Sequence, residues 1–334
     1  MMYLVFIAAA IVTIFTAIKL SNYADIIGER TRLGGMMAGT ILLAGATSLP
    51  EVTTSLTAIT VGNPDIAVSN IFGSNLFNLL ILAIGDIYFR KHKIFSYIGK
   101  DHLLTGFLNV GLTAIVFIAI LFPTGYAIFN IGIEIYLLVL FYILGLKYMT
   151  TSPEANSVLE VASTNESESD YHTQTISLRK AQIGFFIAAL IILIAGSALT
   201  ISGDAIALAT GLSSSFMGTF LIAGATSLPE VVTVIVALQL ANYHLAVGNI
   251  LGSNLFNLMI LVLCDIFYMS GPITSAVSPV VLISVAAGIL LLLILIGGML
   301  FSQTRLVKST TYPIPSLILV SLYIMCSYLI FTLG

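Results

Sequence analysis

The sequence predicts an all-α polytopic membrane protein: ten transmembrane helices arranged as two inverted five-helix repeats, with the N-terminus outside. Composition, the placement of cationic residues and an internal duplication each point there. Of 334 residues, 58 % are hydrophobic and 8 % charged, whereas a soluble domain carries about 25 % charged residues. A lipid bilayer is therefore the expected solvent for most of the surface. Apolar stretches of about 20 residues, the length that crosses a bilayer, recur from end to end with short polar breaks.

The first stretch, roughly 2–22, has no basic region ahead of it and has a counterpart at 180–202, so it is expected to be a retained helix, not a cleaved signal. The stretches 36–61 and 65–89 follow, then 103–122 and 127–149, closing a first half at 1–149. The segment 150–178, with TSPEANSVLEVASTNESESD at its centre, reads as a solvated cytoplasmic linker. A second half, 179–334, holds 180–202, 213–239, 244–268, 276–300 and 313–333. Cys264 and Cys326 lie inside apolar stretches without CxxC spacing and are expected to pack, not to bind metal or pair.

Short cytoplasmic loops collect Lys and Arg. With the N-terminus outside, the inner connections hold Lys19, Arg30, Arg32, Arg90, Lys91, Lys93, Lys100, Lys147, Arg179, Lys180, Arg305 and Lys308, and the outer ones hold none. A missed or extra crossing would place later cations on the wrong side, so the pattern supports ten crossings and external termini. No basic stripe suggests nucleic acid, and no obligate protein partner is evident. The expected location is a plasma membrane of prokaryotic type.

At an offset of 179, residues 39–86 align without a gap to 218–265, with about 29 of 48 positions identical. GTILLAGATSLPEV at Gly39 returns as GTFLIAGATSLPEV at Gly218, and GSNLFNL at 73–79 returns at 252–258. Five crossings per half is an odd number, so the second copy enters from the opposite face, an arrangement common among secondary transporters.

Glu51 and Glu230 are the acidic residues at mid-helix, where an ionised side chain costs at least about 2.5 kcal/mol. A bound cation removes that cost; a capping carboxylate or a protonated one are the plainer readings, and duplication weighs against them. Pro50 and Pro229 lack an N–H for the carbonyl four residues back, which frees the oxygens of Ala46 and Ala225. Thr47, Ser48, Thr226 and Ser227 add hydroxyls. Ser74 with Asn78, and Ser253 with Asn257, sit four residues apart on one helix face. Asn75 and Asn254 lie about 100° away and are expected to bond neighbouring backbone. The resulting set is all oxygen, suited to hard cations such as Ca2+ and Na+. Asp86 and Asp265 end the repeated segments at opposite faces, where they could line ion access paths or be ordinary interfacial carboxylates.

At these residues the chain resembles the calcium/cation antiporter superfamily, specifically its sodium/calcium exchanger branch, whose repeats carry G-T-S-x-P-E followed by G-S-N-x-F-[ND]. Both elements occur twice, 27 residues apart from Glu to the final Asn. The resemblance implies that Glu51 and Glu230 are the central Ca2+ ligands, joined by Thr47 and Thr226. It implies that Ser48, Ser227, Ser74 and Ser253, and the carbonyls of Ala44 and Ala223, complete the sodium and calcium sites. It further implies alternating access, with the first and sixth helices moving against the remainder. Two departures stand out: the glycine before Thr-Ser is displaced one position, leaving Ala46 and Ala225, and both Asn78 and Asn257 are Asn where relatives often have one Asp.

The expected function is antiport of Ca2+ against Na+ at one mid-membrane site, with no cofactor, inorganic cations as cargo and the bilayer as surroundings. A Ca2+/H+ exchanger using the same glutamates is the alternative, since two protons also neutralise a charge of -2. A cation channel is the alternative of another class, though filters usually sit on an axis between subunits. An enzyme is not expected, because no HExxH, GxSxG or His-Asp pair occurs at membrane depth.

Overall fold

The computed structural model describes residues 1–30, 45–97, 100–151, 177–302 and 312–334. Besides three short 3-10 turns, eleven helices occupy them: α1 (Met2–Arg30), α2 (Leu49–Thr60), α3 (Pro64–Tyr88), α4 (Lys100–Leu121), α5 (Ile133–Thr151), α6 (Leu178–Thr210), α7 (Ser214–Thr226), α8 (Leu228–Gln239), α9 (Tyr243–Phe267), α10 (Val281–Ser302) and α11 (Ile314–Leu333). A two-residue hairpin, β1 (Ala127–Ile128) with β2 (Ile131–Gly132), joins α4 to α5.

Seven of these helices are long and apolar enough to cross a membrane, and the pair α7–α8, bent by 48°, makes an eighth. The chain is thus a polytopic helical membrane protein. The fifth expected stretch, 127–149, is shortened at its start because the hairpin occupies 127–132. The first and sixth are instead longer than expected: α6 has 33 residues, about 50 Å at 1.5 Å per residue, well beyond a ~30 Å hydrocarbon core. Of the linker 150–178, residues 152–176 lie outside the described residues.

Burial sorts the helices into a centre and a rim. Along α3 nearly every side chain is buried, including Ile66, Ile71, Phe72, Leu76 and Leu79. On α1, α5, α6 and α11 large apolar side chains such as Phe15, Leu144, Phe186, Ile194 and Phe331 are exposed, the pattern a lipid-facing rim requires. α1 and α6 run antiparallel along each other: Gly184 sits against the Tyr23 ring and Gly203 against Phe6, with Ala17 and Leu20 meeting Ala188 and Ile192 between those points. Small residues bring the two backbones close, as expected where no water drives helices together.

The connections α2–α3 and α8–α9 repeat one another. Asn63 and Asn242 cap α3 and α9, each side-chain oxygen accepting a backbone N–H at 3.1 Å, from Ile66 and Leu245. The residue before each cap is left-handed: Gly62 at φ 78° and Ala241 at φ 55°. Glycine adopts this region freely, whereas an L-residue there costs roughly 1–2 kcal/mol. Ala241→Gly is expected to raise stability by about 0.5–1 kcal/mol, the relief being partly offset by the looser unfolded chain; thermal unfolding of the detergent-solubilised protein measures it.

The two symmetric aspartates are both buried. Asp86 accepts from the Tyr312 hydroxyl and the Ser316 hydroxyl, each at 2.6 Å, which ties α11 to the end of α3. Asp265 accepts from the backbone N–H of Ile273 at 2.7 Å and of Gly132 at 2.9 Å, which ties the hairpin to α9. Beside the two readings weighed for them, both carboxylates fasten neighbouring elements together.

Candidate ion-binding site

The break in each repeated helix falls at a serine. Ser48 (φ -90°, ψ 6°) and Ser227 (φ -86°, ψ 5°) share one conformation, in the sparsely occupied region between helix and strand. A new helix begins at the next residue, with proline in its first turn, where the missing N–H costs nothing. Glu51 and Glu230 therefore lie in the first turns of α2 and α8, where the helix dipole favours negative charge. Ahead of the second break, Met217–Ile222 is wound as a π-helix, a feature often found at functional sites.

Tight packing fixes the broken helix against the centre. A Cβ on Gly73 would strike the backbone of Thr219, and one on Gly218 would come within 2.8 Å of the Ile66 carbonyl oxygen and the Ser69 side chain. α7 and α3 thus interlock through paired glycines. The motif glycines repeat across halves: Gly45 faces Phe256 and Gly224 faces Phe77.

These elements bring the expected side chains together in a buried cluster. Thr47, Ser48, Glu51, Ser74, Asn78, Thr226, Ser227, Glu230, Ser253 and Asn257 are each at most 1 % exposed. Contacts cross between the repeats: the Ser227 hydroxyl donates to Glu51 Oε1 at 3.1 Å. Ser74 and Thr226 lie beside the same carboxylate, while Thr47 lies beside Glu230, and the two carboxylates are close enough to interact electrostatically.

Among the described residues, twelve buried side-chain oxygens have no hydrogen-bond partner, and seven belong to this cluster: Ser48 Oγ, Glu51 Oε2, Ser74 Oγ, Asn78 Oδ1, Glu230 Oε2, Ser253 Oγ and Asn257 Oδ1. A buried polar atom left unpaired costs about 1–3 kcal/mol, so seven in one place require a compensating partner. Calcium takes six to eight oxygen ligands, and sodium is an equally hard cation. The residues fit such cargo.

Ala44 lies outside the described residues. The Ala223 carbonyl is already engaged, accepting from Ser227 N–H at 2.9 Å and from the Thr226 hydroxyl at 3.2 Å, because the turn before the break closes on it. Asn75 and Asn254 do bond backbone, but that of the opposite repeat: each NH2 donates to the other's main-chain carbonyl, at 3.5 and 3.4 Å, and each side-chain oxygen accepts from the other half's Asn257 or Asn78 at 2.9 Å. Recurrence of both residues in the duplicated motif was the signal available for them.

Around the cluster, a buttress also repeats. The Asn70 amide donates to Thr54 Oγ1 at 2.8 Å, and the Asn249 amide to Thr233 Oγ1 at 2.6 Å. On the first-repeat side α6 closes over α2. Thr200 donates to the Thr54 carbonyl at 3.1 Å, the Thr57 and Ser197 hydroxyls meet at 3.0 Å, and Asn63 donates to Asp204 at 2.7 Å.

The sodium/calcium exchanger protein family matches residues 1–151 and 181–332. The inner membrane protein YrbG of Escherichia coli (strain K12) is 26 % identical over 254 residues, 76 % of each chain. Two solved structures share the fold. The H+/Ca2+ exchanger CAX has a TM-score of 0.66 at 13 % identity, covering 99 % of this chain and 86 % of its own. The sodium-calcium exchanger NCX_Mj has a TM-score of 0.57 at 20 % identity, covering 97 % and 98 %.

Proposed function

We propose, from the premise that this chain belongs to the sodium/calcium exchanger protein family, that it exchanges Ca2+ for Na+ across a plasma membrane by alternating access. Ten crossings in two inverted repeats, 1–149 and 179–334, with both termini outside, are part of the same reading. The observation that carries it is the set of seven unpartnered oxygens around Glu51 and Glu230. Two carboxylates balance one Ca2+, and the neutral hydroxyl and amide oxygens complete its shell. The same oxygens suit Na+, so either ion can occupy the cluster in turn.

Inversion supplies the access. The first repeat is sealed by α6 over α2, and in this reading α1 takes the corresponding part for the second repeat. Exchange of these two seals would open the cluster to one side at a time. α7 is held to α3 through Gly73 and Gly218, so the moving parts of this reading are α1 and α6, which pack on each other.

A second reading, Ca2+/H+ exchange, draws on the same charge count. Asn78 and Asn257 are neutral, so two protons on the glutamates satisfy the cluster as fully as one Ca2+. Reconstituted vesicles separate the two. Ca2+ uptake driven by an imposed Na+ gradient and indifferent to a pH gradient is the expected result; uptake that follows the pH gradient and ignores Na+ assigns proton coupling. Single-channel currents would overturn both.

A further inference from the structure

We infer that Asn75 and Asn254 are positioning residues that decide which atom of Asn78 and Asn257 meets the ion. This rests on the reading that the oxygens around Glu51 and Glu230 hold the transported cation. Each asparagine amide can present either an oxygen or an NH2 group, and an NH2 group pointed at a cation repels it. The orientation of the side chains at 78 and 257 is therefore a property the site must control.

The control is a chain of forced choices. The backbone carbonyl of Asn254 can only accept, so the Asn75 amide turns its NH2 toward it, at 3.5 Å. Asn75 Oδ1 then faces Asn257, which must donate, and does so at 2.9 Å. Asn257 Oδ1 is left unpartnered and buried. The other half repeats the logic: Asn254 donates to the Asn75 carbonyl at 3.4 Å, Asn78 donates to Asn254 Oδ1 at 2.9 Å, and Asn78 Oδ1 is left over. Turning any one amide over would set oxygen against oxygen in a place water does not reach, since these four side chains are at most 4 % exposed.

Asn75 and Asn254 touch no ion themselves and act through the opposite repeat, Asn254 through Asn78 and Asn75 through Asn257.

That crossed pairing provides the test. Ca2+ binding to the purified, detergent-solubilised protein is measured by calorimetry for Asn254→Ala, Asn78→Ala, Asn78→Ala with Asn254→Ala, and Asn78→Ala with Asn75→Ala. Asn254→Leu fills the vacated volume without restoring the acceptor, and thermal unfolding checks each variant. Asn254→Ala and Asn254→Leu are each expected to weaken binding about tenfold. The Asn78/Asn254 double variant should lie within about twofold of Asn78→Ala alone, because one acts through the other. The Asn78/Asn75 double variant should show the product of its single losses. Wild-type affinity in both position-254 variants, or multiplicative losses in the Asn78/Asn254 pair, would overturn the inference. A wild-type chain that binds neither Ca2+ nor Na+ would instead remove the site reading beneath it.

Discussion

Glu51→Gln and Glu230→Gln are each expected to abolish Ca2+ uptake into reconstituted vesicles, lowering the initial rate by about two orders of magnitude or more. Glutamine keeps the length and one oxygen of the side chain, so the change isolates charge. Leaving half of a buried charge pair uncompensated costs about 3–5 kcal/mol, and each 1.4 kcal/mol is a factor of ten in affinity. Both carboxylates are buried and interact with one another, which gives the stability a definite sign. Without Ca2+, a neutral amide at either position removes the cost of burying a second carboxyl charge, and with it any repulsion between the two, so the variants should unfold at or above the wild-type temperature. With Ca2+ at 100 times its Kd, the wild type should gain about 2.7 kcal/mol and the variants almost none. Variants that lose uptake yet keep the Ca2+-dependent rise in unfolding temperature would place the ion elsewhere.

The second large effect concerns the seal. Thr57 and Ser197 bring their hydroxyls within 3.0 Å across α2 and α6, so a pair of cysteines at these positions is expected to cross-link the two helices. In the double variant Thr57→Cys with Ser197→Cys, oxidation is expected to stop exchange almost completely, and reductant to restore it. The two native cysteines are buried and do not compete. If the cross-linked protein exchanges at the rate of the reduced one, the contact between α2 and α6 is permanent and access must open by another route. Ca2+ binding to the cross-linked form distinguishes a blocked motion from a damaged site.

Much of this arrangement was legible in the sequence, because both signals are local in the chain. Hydropathy marks lipid-facing stretches wherever they fall, and the duplication places Glu51 and Glu230 in matching breaks. What stayed hidden depends on how the halves meet. Helix geometry turned Asn75 and Asn254 away from the face of Ser74 and Asn78 and gave them to neighbouring backbone; that this backbone belongs to the opposite repeat is something no periodicity encodes. Asp86 looked interfacial because it ends an apolar stretch, yet Tyr312 and Ser316 arrive from more than 200 residues away. The π-helix ahead of Ala223 has no compositional mark.

The bonds among Asn75, Asn78, Asn254 and Asn257 have the form of an isologous contact, in which the same surface serves both partners of a two-fold pair. Here both partners lie in one chain. Such a contact joins the duplicated segments 39–86 and 218–265 to one another, and it leaves neither copy free to change alone. A substitution at position 75 alters the ligand at 257, and one at 254 alters the ligand at 78. The halves are therefore expected to drift apart freely on the lipid-facing rim while remaining twins along this seam.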